Sequence, residues 1–178
     1  MATYFNNKTL DKYFSIYSYN PRGFSMDKQQ FCRNLLNTNK NEIPIFCNQE
    51  NFVLKSNEHL IRKSLPRFEI KFKPAIKTNL EGRPINGMFI AFPDYCKGAI
   101  KDISPNNFRV QAVTIDTLTK KLMIINVYFP QDNKTTDYHY DPDLEDVLAT
   151  IEQTIHTHQC DDVLLVGDMN FDFKRENG

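Results

Sequence analysis

No apolar run in this 178-residue chain approaches the roughly 20 residues that a membrane helix requires. The longest, Met123 to Pro130, is interrupted by Asn126, and Met1 to Lys8 lack the apolar stretch of a secretory signal. Both absences lead to the expectation of a soluble, intracellular protein. The four cysteines, Cys32, Cys47, Cys96 and Cys160, make no CxxC pair, and no histidine stands at a zinc-finger distance from two of them. They read as buried, reduced thiols. Repeats, low-complexity tracts and linkers are also missing, so residues 1–178 read as a single domain, long enough to bury a sizeable core.

Net charge is absent overall, with 22 Lys+Arg against 22 Asp+Glu, but not locally. Residues 1–89 carry 14 basic and 7 acidic groups, while residues 90–178 carry 8 and 15. The basic excess is densest between Lys55 and Arg83, where it reads either as a solvated face closing against the acidic half or as a polyanion-binding surface.

Hydrophobic periodicity supplies the elements. Phe14 to Tyr19 is aromatic and β-branched and stops at the turn Asn20-Pro21-Arg22-Gly23. Ser25 can cap a helix to about Leu36, with Phe31 and Leu35 on one face. Ile43–Cys47 reads as a short buried strand, Leu60–Leu65 as a helical turn ended by Pro66, and Phe68–Lys73 as a half-exposed strand. Gly87–Phe92 is a further strand, and Phe108–Ile115 and Leu122–Phe129 are antiparallel neighbours. The clearest helix is capped by Asp141, has Pro142 in its first turn, ends near Gln159, and carries an apolar stripe of Leu144, Val147, Leu148, Ile151 and Ile155. Val163–Val166 is the fully buried kind of strand, leading to Gly167-Asp168-Met169-Asn170. Many strands with two or three helices imply an α+β fold of stacked sheets with helices outside.

Polar groups recur at one kind of place, the C-terminal end of a strand or its following turn: Asn20, Glu50, Tyr128, and Asp168 with Asn170. Side chains there can converge while the strands hold them rigid. Glu50 and Asp168 are hard oxygen ligands of the sort Mg²⁺ takes. Asn20 and Asn170 can donate to a phosphate oxygen or orient a water, and the Tyr128 hydroxyl can donate to a negatively charged transition state. Singly, Asn20 also reads as a turn former, Glu50 as plain surface and Tyr128 as sheet packing. Together and in order they suit phosphate ester hydrolysis.

Ser18-Tyr19-Asn20-Pro21-Arg22-Gly23, Cys47-Asn48-Gln49-Glu50, Ile124-Ile125-Asn126-Val127-Tyr128-Phe129-Pro130 and Gly167-Asp168-Met169-Asn170 resemble successive motifs of the endonuclease/exonuclease/phosphatase superfamily. Asn86 to Ala91 resembles the strand between its second and third motifs. The details are most similar to the apurinic-type endonuclease domain of non-LTR retrotransposons. The resemblance implies a four-layered α/β sandwich, DNase I-like and incomplete at the C-terminus, in which Mg²⁺ or Mn²⁺ assists cleavage of a DNA phosphodiester. By position, Glu50 would bind the metal with support from Asn20, Tyr128 would contact the scissile phosphate, Asp168 would orient or activate water, and Asn170 would hold phosphate or water beside it. Arg22, Lys71, Lys73 and Lys77 would meet nucleic acid. A reverse transcriptase domain of the same polyprotein and a nuclear location are implied in the same way.

The family's closing Ser-Asp-His triplet has no counterpart. None of His59, His139, His156 and His158 follows a Ser-Asp pair, and His156 and His158 fall where a cation suits a helix C-terminus. The chain is therefore expected to match the N-terminal three-quarters of such a domain, with a sheet edge and apolar surface exposed. Within the same fold the alternatives are a repair nuclease, a deadenylase, or a phosphoinositide or sphingomyelin phosphatase; Asn51-Phe52 after Glu50, where repair members carry Thr-Lys, counts against the first. A catalytically inactive remnant that only binds nucleic acid is the alternative of another class.

Overall fold

Period-two alternation lets a strand bury two faces at once. In β2 (Glu42–Asn48) Ile43, Ile45 and Cys47 point to one apolar layer and Phe46 to another. The same division recurs in β4 (Met88–Pro93), with Ile90 and Phe92 on one side and Phe89 and Ala91 on the other. It recurs again in β7 (Lys121–Tyr128), where Ile124 opposes Met123, Ile125 and Val127. Strands of this kind need a covering layer on each side.

The structure, a computed structural model, describes residues 13–36, 42–77, 82–130 and 142–170. Its first sheet runs β1-β2-β4-β3, with β1 (Tyr13–Tyr19) parallel to β2, and β3 (Phe68–Lys73) antiparallel to β4. The second runs β5-β6-β7-β8. In it β5 (Ile100–Asp102), β6 (Val110–Asp116) and β7 are antiparallel, and β8 (Asp162–Asp168) lies parallel to β7. Ile43, Ile45, Ile90, Phe92, Val113, Ile115 and Ile124 fill the space between the sheets. Helices α1 (Met26–Leu36) and α2 (Glu58–Ser64) cover the outer face of the first sheet through Cys32, Leu36 and Ile61. Helix α3 (Pro142–His158) covers the outer face of the second through Val147 and Ile151. The result is a four-layered α/β sandwich. Cys32, Cys47 and Cys96 are buried thiols outside any disulfide, Cys160 is only partly buried, and burial pushes the Cys47 thiol up to about 12, so it stays protonated and inert. No helix among the described residues is long and apolar enough to cross a membrane.

Three expectations need correction. Helix α1 begins after Ser25, whose carbonyl accepts from Gln29 N at 3.0 Å, but its buried face is Cys32 and Leu36. Phe31 lies 48% exposed with its ring 5.1 Å from that of Tyr19; the small thiol one residue on is what faces the sheet. On α3 the buried line is Val147, Ile151 and Thr154, while Leu148 and Ile155 lie one step round the helix and stay exposed. Its cap Asp141 falls outside the described residues. The largest difference is β8. Its apolar run suggests a strand covered on every side, yet among the described residues it is the sheet's edge, with Val163 40%, Leu164 44% and Leu165 39% exposed. One neighbouring strand shields only one flank.

Candidate active site

Two parallel strand pairs bring four chain segments to one end of the sandwich. Parallel pairing puts the C-terminal ends of β1 and β2 side by side, and likewise those of β7 and β8, where Tyr128 pairs with Asp168. Across the gap between the sheets one side chain joins both pairs. Asn20, just after β1, donates from Nδ2 to Glu50 Oε2 at 2.8 Å and to Asp168 Oδ2 at 2.7 Å. Two carboxylates from residues far apart in the chain thus stand within two hydrogen-bond lengths of each other. Asn20 Oδ1 accepts the Arg22 N–H at 2.9 Å, and Asn170 N donates to Asp168 Oδ1 at 3.0 Å. The Asn170 amide also donates to Phe129 O at 2.6 Å, closing the turn after β8.

Tyr128 is buried, and its hydroxyl bonds with Glu50 and Asn170. Burial first, then the neighbouring Glu50 carboxylate, pushes its phenol up to about 12, so at neutral pH it is a proton-bearing donor. Arg109, at the head of β6, opposes that rise. Its guanidinium sits 5.3 Å from the Tyr128 ring and 5.2 Å from Phe108, with Asp143 3.7 Å away.

The backbone here is unlike the rest of the fold. Of the nine described residues with left-handed φ, all but Gln159 flank these side chains: Arg22, Gly23, Glu50, Phe52, Asn86, Gly87, Gly167 and Asn170. For the non-glycines that conformation costs on the order of 1 kcal/mol each, and such strain gathers where side chains must be aimed rather than packed. Gly167 is obligatory for a second reason. A Cβ there would lie 1.9 Å from Val127 O, so only glycine lets β8 approach β7 and present Asp168.

Behind the cluster lies a buried amide network. Gln49 Nε2 reaches Asn126 Oδ1 at 2.6 Å and Ser18 Oγ at 3.1 Å, and Asn126 Nδ2 donates to Asn48 O at 3.1 Å. These bonds tie the end of β2 to β7 and set the spacing of the two sheets where the carboxylates meet. Sequence reasoning missed Gln49, Asn126 and Arg109. The available signal was Asn126, a polar residue on the inward period of an otherwise apolar strand.

The structure therefore gathers Asn20, Glu50, Tyr128, Asp168 and Asn170, with exposed Arg22 beside them, and leaves the three lysines elsewhere. Lys71 and Lys73 lie on β3, at the edge of the first sheet farthest from β1. Lys71 Nζ pairs with Glu69 at 3.2 Å. Lys73 Nζ donates to Pro105 O at 2.7 Å, Asn107 O at 2.5 Å and Val110 O at 2.6 Å, so its three protons are all engaged inside the protein. That corrects its expected role on nucleic acid: an ammonium with no free donor is a structural pin. Lys77 is exposed but outside the cluster's hydrogen-bond network. His59 contacts Ser56 O, and His156 and His158 end α3, where their placement suits the helix dipole.

The donor set fits a hard divalent cation. Glu50 and Asp168 offer carboxylate oxygens, and Asn20 Oδ1 keeps one lone pair. Mg²⁺ is commonly held by one or two carboxylates with water and phosphate completing the shell. The described residues contain no group of three or more His, Cys, Asp or Glu placed for a metal.

No protein-family model matches the chain, and no curated protein matches it in sequence. Solved structures do. The chain superposes on the endonuclease domain of TRAS1, a telomere-specific non-LTR retrotransposon, with TM-score 0.58 and 14% identity, over 89% of this chain and 61% of that one. It superposes on the 3′ phosphatase NExo from Neisseria, solved with a product DNA hairpin, with TM-score 0.57 and 17% identity, over 89% and 57% of the two chains. The catalytic domain of APE2 from Xenopus laevis gives 0.57 and 16%, over 88% and 58%. The chain spans about three fifths of the length of these structures. What they share with it is the endonuclease/exonuclease/phosphatase fold, and that is the fold of this chain.

Proposed function

We propose that this chain is the core of a divalent-metal-dependent phosphodiesterase that nicks DNA, of the retrotransposon endonuclease type. The observation that carries the proposal is the Asn20 amide held between Glu50 and Asp168. Two carboxylates at one point, bridged only by a neutral amide, form an acceptor-rich cup suited to a cation and an esterified phosphate. Glu50 holds Mg²⁺ or Mn²⁺, with Asn20 in support. When bound, the cation offsets negative charge on the phosphate oxygens. Tyr128 donates a hydrogen bond from its hydroxyl to a non-bridging oxygen of the scissile phosphate, a role for which its raised pKa keeps it protonated. Asp168 accepts a hydrogen bond from the attacking water and orients it, with its other oxygen fixed by Asn20. Asn170 steadies Asp168 through its backbone N–H. The likeness to the TRAS1 domain and to a DNA-bound neighbour supports DNA as the substrate.

Among the described histidines, His59, His156 and His158, none lies in this cluster. The lack of a positioned acid typically lowers the rate ~10²–10⁴-fold. This same observation favours a second reading, a nucleic-acid-binding remnant without turnover. Titration calorimetry with Mg²⁺ and a plasmid-nicking gel test the proposal together. The wild-type chain is expected to show metal-dependent heat and slow nicking, and the variant Glu50→Ala, Asp168→Ala neither. Unchanged heat in the variant removes both residues from the metal site. Heat without nicking selects the remnant.

A further inference from the structure

Three cations lie together near Glu50, Arg22 and Arg83 on turns and Lys28 in the first turn of α1, and unlike Arg62, Lys71, Lys97 or Lys120 they meet no carboxylate among the described residues. Arg83 lies over the face of Phe52, its guanidinium carbon 4.1 Å from the ring centroid. It donates from Nη2 to Arg22 O at 3.2 Å, and Lys28 Nζ donates to the same carbonyl at 3.3 Å. The turn carbonyls face these two cations, while the Arg22 side chain stands exposed. A guanidinium has five N–H donors, so with one engaged and one face resting on an aromatic ring, most of its fork stays available to an anion.

This pair is tied to the candidate active site through the backbone. Gly23 N donates to Glu50 O at 2.7 Å, and Phe52 N to Asn86 O at 3.0 Å. Gly23, whose left-handed φ of +108° favours glycine, packs beside both groups: a Cβ there would make ordinary contacts 3.4 Å from the Phe52 ring and 3.8 Å from the Arg83 guanidinium. Phe52 itself, at φ +58°, is a left-handed aromatic residue two positions from Glu50. Two residues span at most about 7 Å of chain, roughly two phosphate rises along one nucleic-acid strand. Strain in a bulky residue, an aromatic seat and an unpaired guanidinium coincide beside the carboxylates.

We propose that Arg83, seated on Phe52, forms with Arg22 a rim that grips a phosphate flanking the scissile one, so that the chain selects a polynucleotide strand over a small phosphoester. The rim rests on the phosphodiesterase reading and adds to it the side chains that hold the strand beside the scissile phosphate. It also relocates the nucleic-acid contact from β3, where Lys71 and Lys73 are engaged, to the turns after β1 and before β4.

Anisotropy titration of the full chain with a duplex oligonucleotide, in EDTA and over a range of salt, tests the rim apart from catalysis. Arg83→Gln is expected to weaken binding about tenfold at low salt, because a charged hydrogen bond is lost, and to lower the salt slope by about 0.9. Phe52→Leu keeps the charge but removes its seat, so a smaller loss of about threefold with a nearly unchanged slope is expected. Arg62→Gln, whose guanidinium pairs with Glu58, is expected to leave affinity and slope as in the wild type. Equal effects of Arg62→Gln and Arg83→Gln, no effect of Arg83→Gln, or no binding by the wild type each overturn the rim. The Mg²⁺ calorimetry decides the phosphodiesterase reading separately: heat with an unaltered Arg83→Gln slope discards the rim alone, and a lost slope without heat discards the metal site alone.

Discussion

The two parallel strand pairs deliver site residues by the same device but are held in different ways. Both pairs end at a sheet edge, β1 in the first sheet and β8 in the second, but Phe14 and Ile16 of β1 pack against the central core beside Ile43, Ile45 and Cys47 of β2, whereas β8 carries its apolar residues 39–44% exposed along Val163–Leu165. Side-chain burial therefore fixes Glu50, whereas backbone geometry fixes Asp168, through Gly167, the β7 register and the bond from Phe129 N to Asp168 O at 2.9 Å. Placement of a carboxylate in a candidate active site needs rigidity, and either source supplies it.

The sharpest way to break that contrast is at the glycines. Gly167→Ala drives a Cβ into Val127 O and is expected to cost roughly 4 kcal/mol, lowering Tm by on the order of 10 °C and abolishing Mg²⁺ heat. Gly23→Ala meets only ordinary contacts at a left-handed φ and is expected to cost about 1–2 kcal/mol, with heat retained. Similar melts for the two variants would show that β8 is not held by close backbone approach. Next in size, Ile45→Ala is expected to cost about 3 kcal/mol and Leu165→Ala under about 1 kcal/mol in urea titration, since only the first empties a sealed core. Equal losses would mean that β8 is covered in solution.

Lys73→Met tests the region farthest from β1. It leaves three carbonyls without their donor and is expected to cost about 2 kcal/mol in the same titration, with the salt slope of DNA binding unchanged. A fall in slope would return Lys73 to the nucleic-acid surface. The smallest effect is alkaline. The folded Tyr128 phenol keeps its proton to about 12, while an unfolded one ionises near 10. Its contribution is thus fully present below pH 10 and is lost as pH rises through 12. Comparing Tyr128→Phe with wild type by denaturant melts from pH 9 to 12 should show a shallower decline in the variant; parallel curves would place the hydroxyl in water.

Elements and motif order were legible because they are local. Apolar β runs marked β2, β4, β6 and β7, alternation marked β3, and Pro142 with its apolar stripe marked α3. Gly167-Asp168-Met169-Asn170 announced a polar turn after an apolar strand. Local patterns also misled where neighbours decide the outcome. The alternation of Phe68–Lys73 cannot say that Lys73 reaches two carbonyls of the β5–β6 loop and one at the start of β6, nor can Val163–Val166 say how many strands flank it. A helical apolar stripe does not specify which residue faces the sheet, so Phe31 and Cys32 exchanged roles.

By itself, then, the amino-acid order determined which segments become strands and helices, since periodicity and turn chemistry act over a few bonds. It also determined that oxygen- and amide-bearing residues sit at strand ends. Only the tertiary structure decided that Asn20 bridges Glu50 and Asp168, that Gln49 and Asn126 lock the sheets behind them, and that Arg83 rests on Phe52 while Lys73 is held by three carbonyls. Those contacts join residues tens of positions apart or more. Their geometry follows from parallel pairing and sheet stacking, which no short stretch of chain encodes.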